Sequence, residues 1–127
     1  MEGNNLFGST NTKEILEIAN YNSPQQIVVS GTTAALQFFC EKIAALKAGK
    51  TIPLRVSAPF HSSLMQPAAQ RLKDFLQDVP LLPLQIPLVA NLDAKLYQGN
   101  SYTKSILENQ LVSSVQWTQS LETLAET

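Results

Sequence analysis

The chain has 127 residues, of which 44% are hydrophobic and only 15% charged, and its formal net charge is −1. This length predicts a single domain with a modest core. The nine lysine and arginine residues form no basic run, so we expect no nucleic-acid partner. No apolar run approaches the ~20 residues of a membrane span, and we expect no membrane partner either.

The single cysteine, Cys40, cannot form an internal disulfide, and it lies in a stretch of helical periodicity. These two observations predict that the Cys40 thiol is buried and that the protein is found in a reducing compartment. The start of the sequence resembles neither a signal peptide nor a transit peptide. These features together predict a cytoplasmic location.

Predicted strands and helices alternate along the chain. Residues 1–12 are polar and predict a loose tail. Hydrophobic periodicity and turn residues predict, in order, a short helix or strand entry at 14–19, a turn at 21–26, a strand at 26–31, a helix at 34–49 and a strand at 50–57.

The second half continues in the same way. The same signals predict a helix around Pro67 with its inward face between 64 and 79, a strand at 86–90, a turn at 99–100, a helix at 102–111 and a final helix from Trp117. We expect the Trp117 indole to lie in the core, because it buries a large apolar area. The alternation indicates the α/β class.

The stretch SAPFHSSLMQPAA, residues 57–69, contains the only histidine, His61. It joins a predicted strand to a predicted helix, which is where α/β folds place catalytic side chains. An imidazole can act there as a general base or acid, although a single histidine in a loop is more often structural.

The residues offer the histidine no partner for chemistry. GNSYT, residues 99–103, lacks the second glycine of a G-x-S-x-G nucleophile elbow, and Cys40 lies on an apolar helix face. A single histidine without a second histidine or a nearby cysteine does not make a zinc site. The sequence therefore predicts a base without a nucleophile, no metal site and no cofactor.

Four blocks in register resemble malonyl-CoA:acyl carrier protein transacylases, and the resemblance extends over roughly residues 13–125. The blocks are ANYNSPQQIVVSG (19–31), IPLRVSAPFHSSLMQPAAQRL (52–72), PLVANLDA (87–94) and QLVSSVQW (110–117). The family fold is an α/β-hydrolase-like large subdomain with a ferredoxin-like small subdomain inserted in it. The resemblance implies that residues 1–56 form a tail plus the latter half of the ferredoxin-like subdomain, and that residues 57–127 form the C-terminal part of the large subdomain.

The resemblance also implies a reaction and three site residues. A serine in this family takes a malonyl group from coenzyme A and passes it to acyl carrier protein, in fatty acid biosynthesis. His61, in S-x-P-x-H-S, would be the general base, and Gln110, in Q-L-x-x-x-V-x-W, would hold the imidazole through its main-chain carbonyl. Asn20, in N-Y-N-S-P-x-Q, would bind substrate near the acyl donor.

Two departures limit the expected activity. The family's Gly-His-Ser-x-Gly elbow and its carboxylate-binding arginine are missing, and neither Arg55 nor Arg71 matches that arginine. We therefore expect the isolated chain to be inactive and to self-associate through exposed faces. The alternatives are a non-catalytic module that binds acyl carrier protein or a partner chain, and a fragment of a polyketide-type acyltransferase.

Overall fold

The structure is a computed structural model that describes residues 13–127, so the predicted tail at 1–12 lies outside the described residues. Within this range two β-hairpins are each followed by helices, and the predicted α/β class is confirmed. The elements are β1 (Leu16–Ser23), β2 (Gln26–Gly31), α1 (Thr33–Leu46), a 3₁₀ turn (Ser63–Met65), α2 (Gln66–Leu76), β3 (Leu84–Val89), β4 (Leu96–Gly99), α3 (Lys104–Gln110) and α4 (Trp117–Glu126).

The first hairpin consists of β1 and β2, which pair antiparallel around a turn at Pro24 and Gln25. The predicted turn at 21–26 is therefore too wide, and the stretch at 14–19 leads into a strand, not a helix. The main chain at Gly31 passes very close to Ile15, at the open end of the hairpin. A Cβ added to Gly31 would lie only 2.1 Å from the carbonyl oxygen of Ile15. Only glycine fits at this position without displacing the main chain.

The second hairpin consists of β3 and β4, again antiparallel. β4 carries no alternating apolar pattern and was not predicted from the sequence. The Tyr97 hydroxyl donates a hydrogen bond of 2.7 Å to Asp93 in the connecting turn. This bond raises the pKa of Tyr97, because the neighbouring carboxylate opposes loss of the phenolic proton.

The helices begin and end close to their predicted positions. α1 stops at Leu46, where Lys47 takes a left-handed conformation with φ of 51°, and not at Gly49 as predicted. Pro67 lies in the first turn of α2, where a missing N–H costs nothing. α2 packs against α3, and the Lys104 ammonium donates to the carbonyl of Leu76 at 2.5 Å, at the end of α2.

A short segment at Val115 joins the two halves of the molecule. The Val115 N–H donates to Ala19 at 2.7 Å, and its carbonyl accepts from Tyr21 at 3.0 Å, which forms a parallel bridge alongside β1. The next residue, Gln116, donates to the carbonyl of Asn91 at 2.7 Å, just after β3. Residues 113–116 are therefore held between the two hairpins.

The buried apolar residues are mostly small, and many large ones are exposed. Alanines make up most of the buried set, which is Ala19, Ala35, Ala69, Leu76, Ala90, Ala94 and Ile106. Trp117 is 45% exposed, so the prediction that it lies in the core is wrong. Its helix, α4, packs on β1 and leaves much of the indole uncovered by the described residues.

The predicted strand at 50–57 is also wrong. Between Gly49 and Ser57, here called the bare segment, the described structure contains no strand, and no main-chain group makes a hydrogen bond. β-Branched residues favour an extended chain, but a strand also needs a hydrogen-bonded neighbour. Within residues 13–127, no helix is long and apolar enough to cross a bilayer.

Candidate active site

The site is centred on the loop between the bare segment and the 3₁₀ turn. Its chain reverses around Pro59, where the Phe60 N–H donates to the carbonyl of Ala58 at 2.9 Å. The next residue, His61, has a left-handed backbone with φ of 60°. Such a conformation is uncommon outside glycine, although histidine is among the residues that tolerate it, and it recurs at functional sites.

The end of α3 holds His61 at two points. The imidazole Nδ1 lies 2.9 Å from the main-chain carbonyl oxygen of Gln110, and the His61 N–H donates to the carbonyl of Leu111 at 3.2 Å. Since a carbonyl only accepts, Nδ1 carries the proton, and in the neutral ring Nε2 keeps its lone pair. No hydrogen bond to Nε2 is formed by the part of the chain that the structure describes.

The first hairpin fixes the loop on either side of the histidine. The Ser30 hydroxyl donates to the carbonyl of Phe60 at 2.8 Å. One carboxylate oxygen of Glu17 accepts from the N–H of Ser63 at 2.8 Å and from its hydroxyl at 2.6 Å. Ser62, which is fully buried, donates to the carbonyl of Pro59 at 2.7 Å. The turn that carries His61 is therefore pre-organised by its neighbours.

The Gln110 side chain has a separate task from its carbonyl. Its amide nitrogen donates to the carbonyls of Ser113 and Ser114, at 3.0 and 3.4 Å. These bonds close the turn that follows α3. Gln110 thus presents its main-chain oxygen to His61 while its side chain stabilises that turn.

A cleft of about 460 Å³ opens beside the imidazole, within the size range of small-molecule sites. It is lined by Glu17, Ile18, Tyr21, His61, Leu92, Val112, Ser113, Ser114 and Gln116. This lining contains one carboxylate and no lysine or arginine, so residues 13–127 place no cation in the cleft for an acidic substrate. In the same range, no cluster of three metal-ligating side chains occurs.

The three residues singled out from the sequence are placed differently. His61 and Gln110 contact each other, and His61 lines the cleft, whereas Asn20 is not among the described residues that line it. The Asn20 backbone instead pairs with Val115 at a bulge of β1. Sequence reasoning missed Glu17 and Ser30, since no local pattern separates them from other polar strand residues.

No family model matches the chain, but individual proteins do. The malonyl CoA-acyl carrier protein transacylase of Bacillus subtilis is 36% identical over 115 residues, which are 91% of this chain and 36% of that protein. The crystal structure of the transacylase of that name from Clostridium perfringens superimposes with a TM-score of 0.83 at 35% identity, over 95% of this chain and 38% of that one.

A third match is a malonyl-transacylase solved in complex with a type II polyketide synthase acyl-carrier protein. It has a TM-score of 0.82 and 34% identity, over 89% of this chain and 37% of its own. The chain thus spans little more than a third of the relatives that it matches. Along most of its length, the chain is related to one portion of the malonyl CoA-acyl carrier protein transacylases.

Proposed function

We propose that this chain supplies the general base for transfer of a malonyl group from coenzyme A to acyl carrier protein. The observation that carries the proposal is the hydrogen bond between His61 Nδ1 and the Gln110 carbonyl, in a chain related to malonyl transacylases. The serine nucleophile would come from outside these 127 residues, because their only histidine lies in no Gly-His-Ser-x-Gly elbow. The enzyme would be an acyl-carrier-protein S-malonyltransferase acting in fatty acid biosynthesis.

The tautomer set by Gln110 suits this chemistry. Nε2 would take the proton of the serine hydroxyl while the serine oxygen attacks the malonyl thioester carbonyl. The tetrahedral intermediate would expel the coenzyme A sulfur, which takes the proton back from the imidazolium. In the second half, the phosphopantetheine thiol of acyl carrier protein would give its proton to Nε2 and attack the malonyl-serine ester. The imidazolium would then return that proton to the departing serine oxygen, which restores the serine hydroxyl and the neutral ring.

A main-chain carbonyl orients the imidazole as a carboxylate would, but without a full negative charge to stabilise the imidazolium. The missing charge matters less in transfer from a thioester, because the coenzyme A thiolate is a good leaving group. The proposed triad therefore consists of an external serine, His61 and the main chain of Gln110.

The substrate contact of Asn20 stays part of the proposal in a weaker form. Its neighbours in β1, Ile18 and Tyr21, line the cleft, whereas Asn20 does not do so within residues 13–127. A contact with the acyl donor would therefore come from the rim of the cleft. We also propose a cytoplasmic location, since the single free cysteine suits a reducing compartment.

The test is a complementation assay. This chain is mixed with the separately produced remainder of the Bacillus subtilis transacylase, and malonyl transfer from malonyl-CoA to acyl carrier protein is followed by mass spectrometry. We expect transfer by the mixture and none by this chain alone. His61→Ala should reduce the rate by about 10²–10⁴, the range for a general base.

The matched control is His61→Asn, because asparagine tolerates the left-handed backbone but has no base. His61→Asn should assemble as the parent chain does and be as inactive as His61→Ala. A loss of less than about threefold in both variants would show that His61 is not the base.

A second candidate is a module that binds acyl carrier protein without catalysis. It is favoured by the lack of a nucleophile elbow and by the matched malonyl-transacylase that was solved with a carrier protein. Binding of acyl carrier protein to this chain alone, with no transfer in the mixture, would favour this candidate.

A further inference from the structure

Ser62, the residue after His61, uses its hydroxyl in an unusual way. It directly precedes the 3₁₀ turn, a position where a serine oxygen normally accepts an N–H from the first helical turn. Ser62 makes no such bond. Its hydroxyl points backwards instead and donates to the carbonyl of Pro59 at 2.7 Å. Ser62 therefore serves the loop that carries His61 and not the helical turn that follows it.

The helical turn that Ser62 leaves without a side-chain cap is capped from β1. One carboxylate oxygen of Glu17 accepts from the Ser63 N–H at 2.8 Å. This N–H is one of those that the start of a helical turn leaves without an internal partner. Because Glu17 satisfies it, the Ser62 hydroxyl is free to bond to Pro59.

The bond made by Ser62 is better shielded from water than the other side-chain contacts of the loop. Ser62 has no exposed surface, whereas the bonds that Ser30 and Glu17 make to the loop lie at exposed positions. Within residues 13–127, no other group donates to the Pro59 carbonyl. A buried hydrogen bond that is lost leaves its acceptor unpaired, because water does not reach it. The Ser62 hydroxyl is therefore difficult to replace.

The bond between Ser62 and Pro59 closes the chain across His61. The His61 backbone is left-handed, with φ of 60°, and residues other than glycine keep such a conformation only when their surroundings hold them in it. A return of φ to negative values would swing the imidazole away from the Gln110 carbonyl, which lies 2.9 Å from Nδ1. The closed loop opposes that rotation.

We propose that Ser62 is a positioning residue for His61. Its hydroxyl bond to Pro59 keeps the His61 backbone left-handed, and the left-handed backbone keeps Nδ1 on the Gln110 carbonyl. Ser62 is not among the described residues that line the cleft, so it acts through His61 and not on the substrate. Its effect on malonyl transfer rests on the proposed function. Its effect on the ring does not, since the tautomer is measured without turnover.

The first experiment reads the tautomer of the ring from the nitrogen NMR signals of the imidazole. This chain carries isotope-labelled histidine and is measured alone and with the unlabelled remainder of the Bacillus subtilis transacylase, so every signal comes from His61. At a pH at which the imidazole is neutral, we expect the Nδ1–H form to dominate in the parent chain. Ser62→Ala should raise the fraction of the Nε2–H form at least about threefold, because the ring loses its fixed acceptor.

The matched control is Ser120→Ala in α4. Ser120 is also buried, and its hydroxyl donates to a main-chain carbonyl, that of Gln116, at the same distance of 2.7 Å. Both variants lose one shielded hydrogen bond, but only Ser62→Ala should change the tautomer. Ser62→Cys keeps a side chain of similar size with a weaker donor; it should fall between the parent and Ser62→Ala, and it replaces Ser62→Ala if that variant does not fold. A parent-like tautomer in the Ser62 variants, or an equal shift in Ser120→Ala, would overturn the proposal.

The second experiment measures malonyl transfer by the assembled protein. Ser62→Ala should lower kcat about tenfold and change the KM for malonyl-CoA by less than about twofold, because it misplaces the base without touching the substrate. Ser120→Ala should leave both constants within about twofold of the parent. A rise in KM at unchanged kcat in Ser62→Ala would contradict a positioning role. A tautomer shift in Ser62→Ala without transfer by the parent mixture would contradict the proposed function and leave the role of Ser62 standing.

Discussion

The loop that carries His61 and the bare segment that leads into it are neighbours in sequence and opposites in structure. The loop is tied to β1, β2 and the end of α3 by side-chain and main-chain hydrogen bonds. The bare segment makes no main-chain hydrogen bond over residues 49–57. The contrast shows that residues 13–127 orient the His61 imidazole, whereas they leave the segment that leads into its loop without main-chain partners.

The most damaging change should be Gly31→Ala, which disturbs the hairpin that holds the His61 loop. The new Cβ would meet the Ile15 carbonyl oxygen at 2.1 Å, so the hairpin that carries Glu17 and Ser30 must shift. We expect a loss of about 3 kcal/mol or more in the free energy of unfolding, measured by urea denaturation.

Gly49→Ala is the control for Gly31→Ala, because its Cβ meets nothing within 4 Å although its φ is +155°. It should cost only about 1 kcal/mol, since the surrounding chain has room to adjust. Equal losses in the two variants would show that the close approach at Gly31 is not what limits this position.

Glu17→Ala removes one of the contacts that hold the His61 loop and leaves the bare segment unchanged. It removes both hydrogen bonds to Ser63, and we expect malonyl transfer by the assembled protein to fall about tenfold through poorer positioning of His61. Glu17→Gln, which keeps an acceptor oxygen, should restore most of the rate. Glu122→Ala, on an exposed position in the middle of α4, is the matched control. If Glu17→Gln does not restore the rate lost in Glu17→Ala, Glu17 is not a positioning residue.

Gln110→Ala should have a smaller effect, because the oxygen that holds His61 belongs to the main chain. The variant loses only the side-chain bonds to the carbonyls of Ser113 and Ser114, at a cost of about 1 kcal/mol in unfolding free energy. The imidazole proton signals in the NMR spectrum, a single set because the chain has one histidine, should barely move. A large shift would show that the side chain, and not the carbonyl, orients the ring.

The smallest change in stability is expected for a substitution in the bare segment. Leu54→Ala should change the unfolding free energy of the isolated chain by less than about 0.5 kcal/mol, because the side chain is 59% exposed. Thermal unfolding followed by circular dichroism measures this. A loss above about 1 kcal/mol would mean that the bare segment is already packed in the free chain.

How far the sequence predicted the structure depended on what each element needed. β2, α1, α2 and α4 were placed correctly because their apolar patterns and turn residues are local. β4 was missed because four residues carry too short a pattern, and the strand at 50–57 was wrong because strand propensity does not supply a neighbour. Trp117 was placed in the core because an indole buries a large apolar area, but the described residues leave 45% of it exposed.

The site was predictable only in part. His61 stood out as the single histidine, and the resemblance supplied Gln110 and predicted that its carbonyl, not its amide, would face the ring. The contacts of Glu17 with Ser63 and of Ser30 with Phe60 span 46 and 30 residues, and nothing in the local sequence marks such long-range pairs. The left-handed backbone of His61 likewise follows from the folded loop.

The acceptor for His61 belongs to the peptide unit between Gln110 and Leu111, so ordinary mutagenesis keeps it whichever side chain replaces Gln110. Substitutions at position 110 therefore leave the proposed triad chemically complete. A search for an acidic side chain beside His61 would miss this main-chain acceptor. Chemical synthesis offers the direct handle, since an ester in place of the 110–111 amide makes that oxygen a poorer acceptor while every side chain stays unchanged.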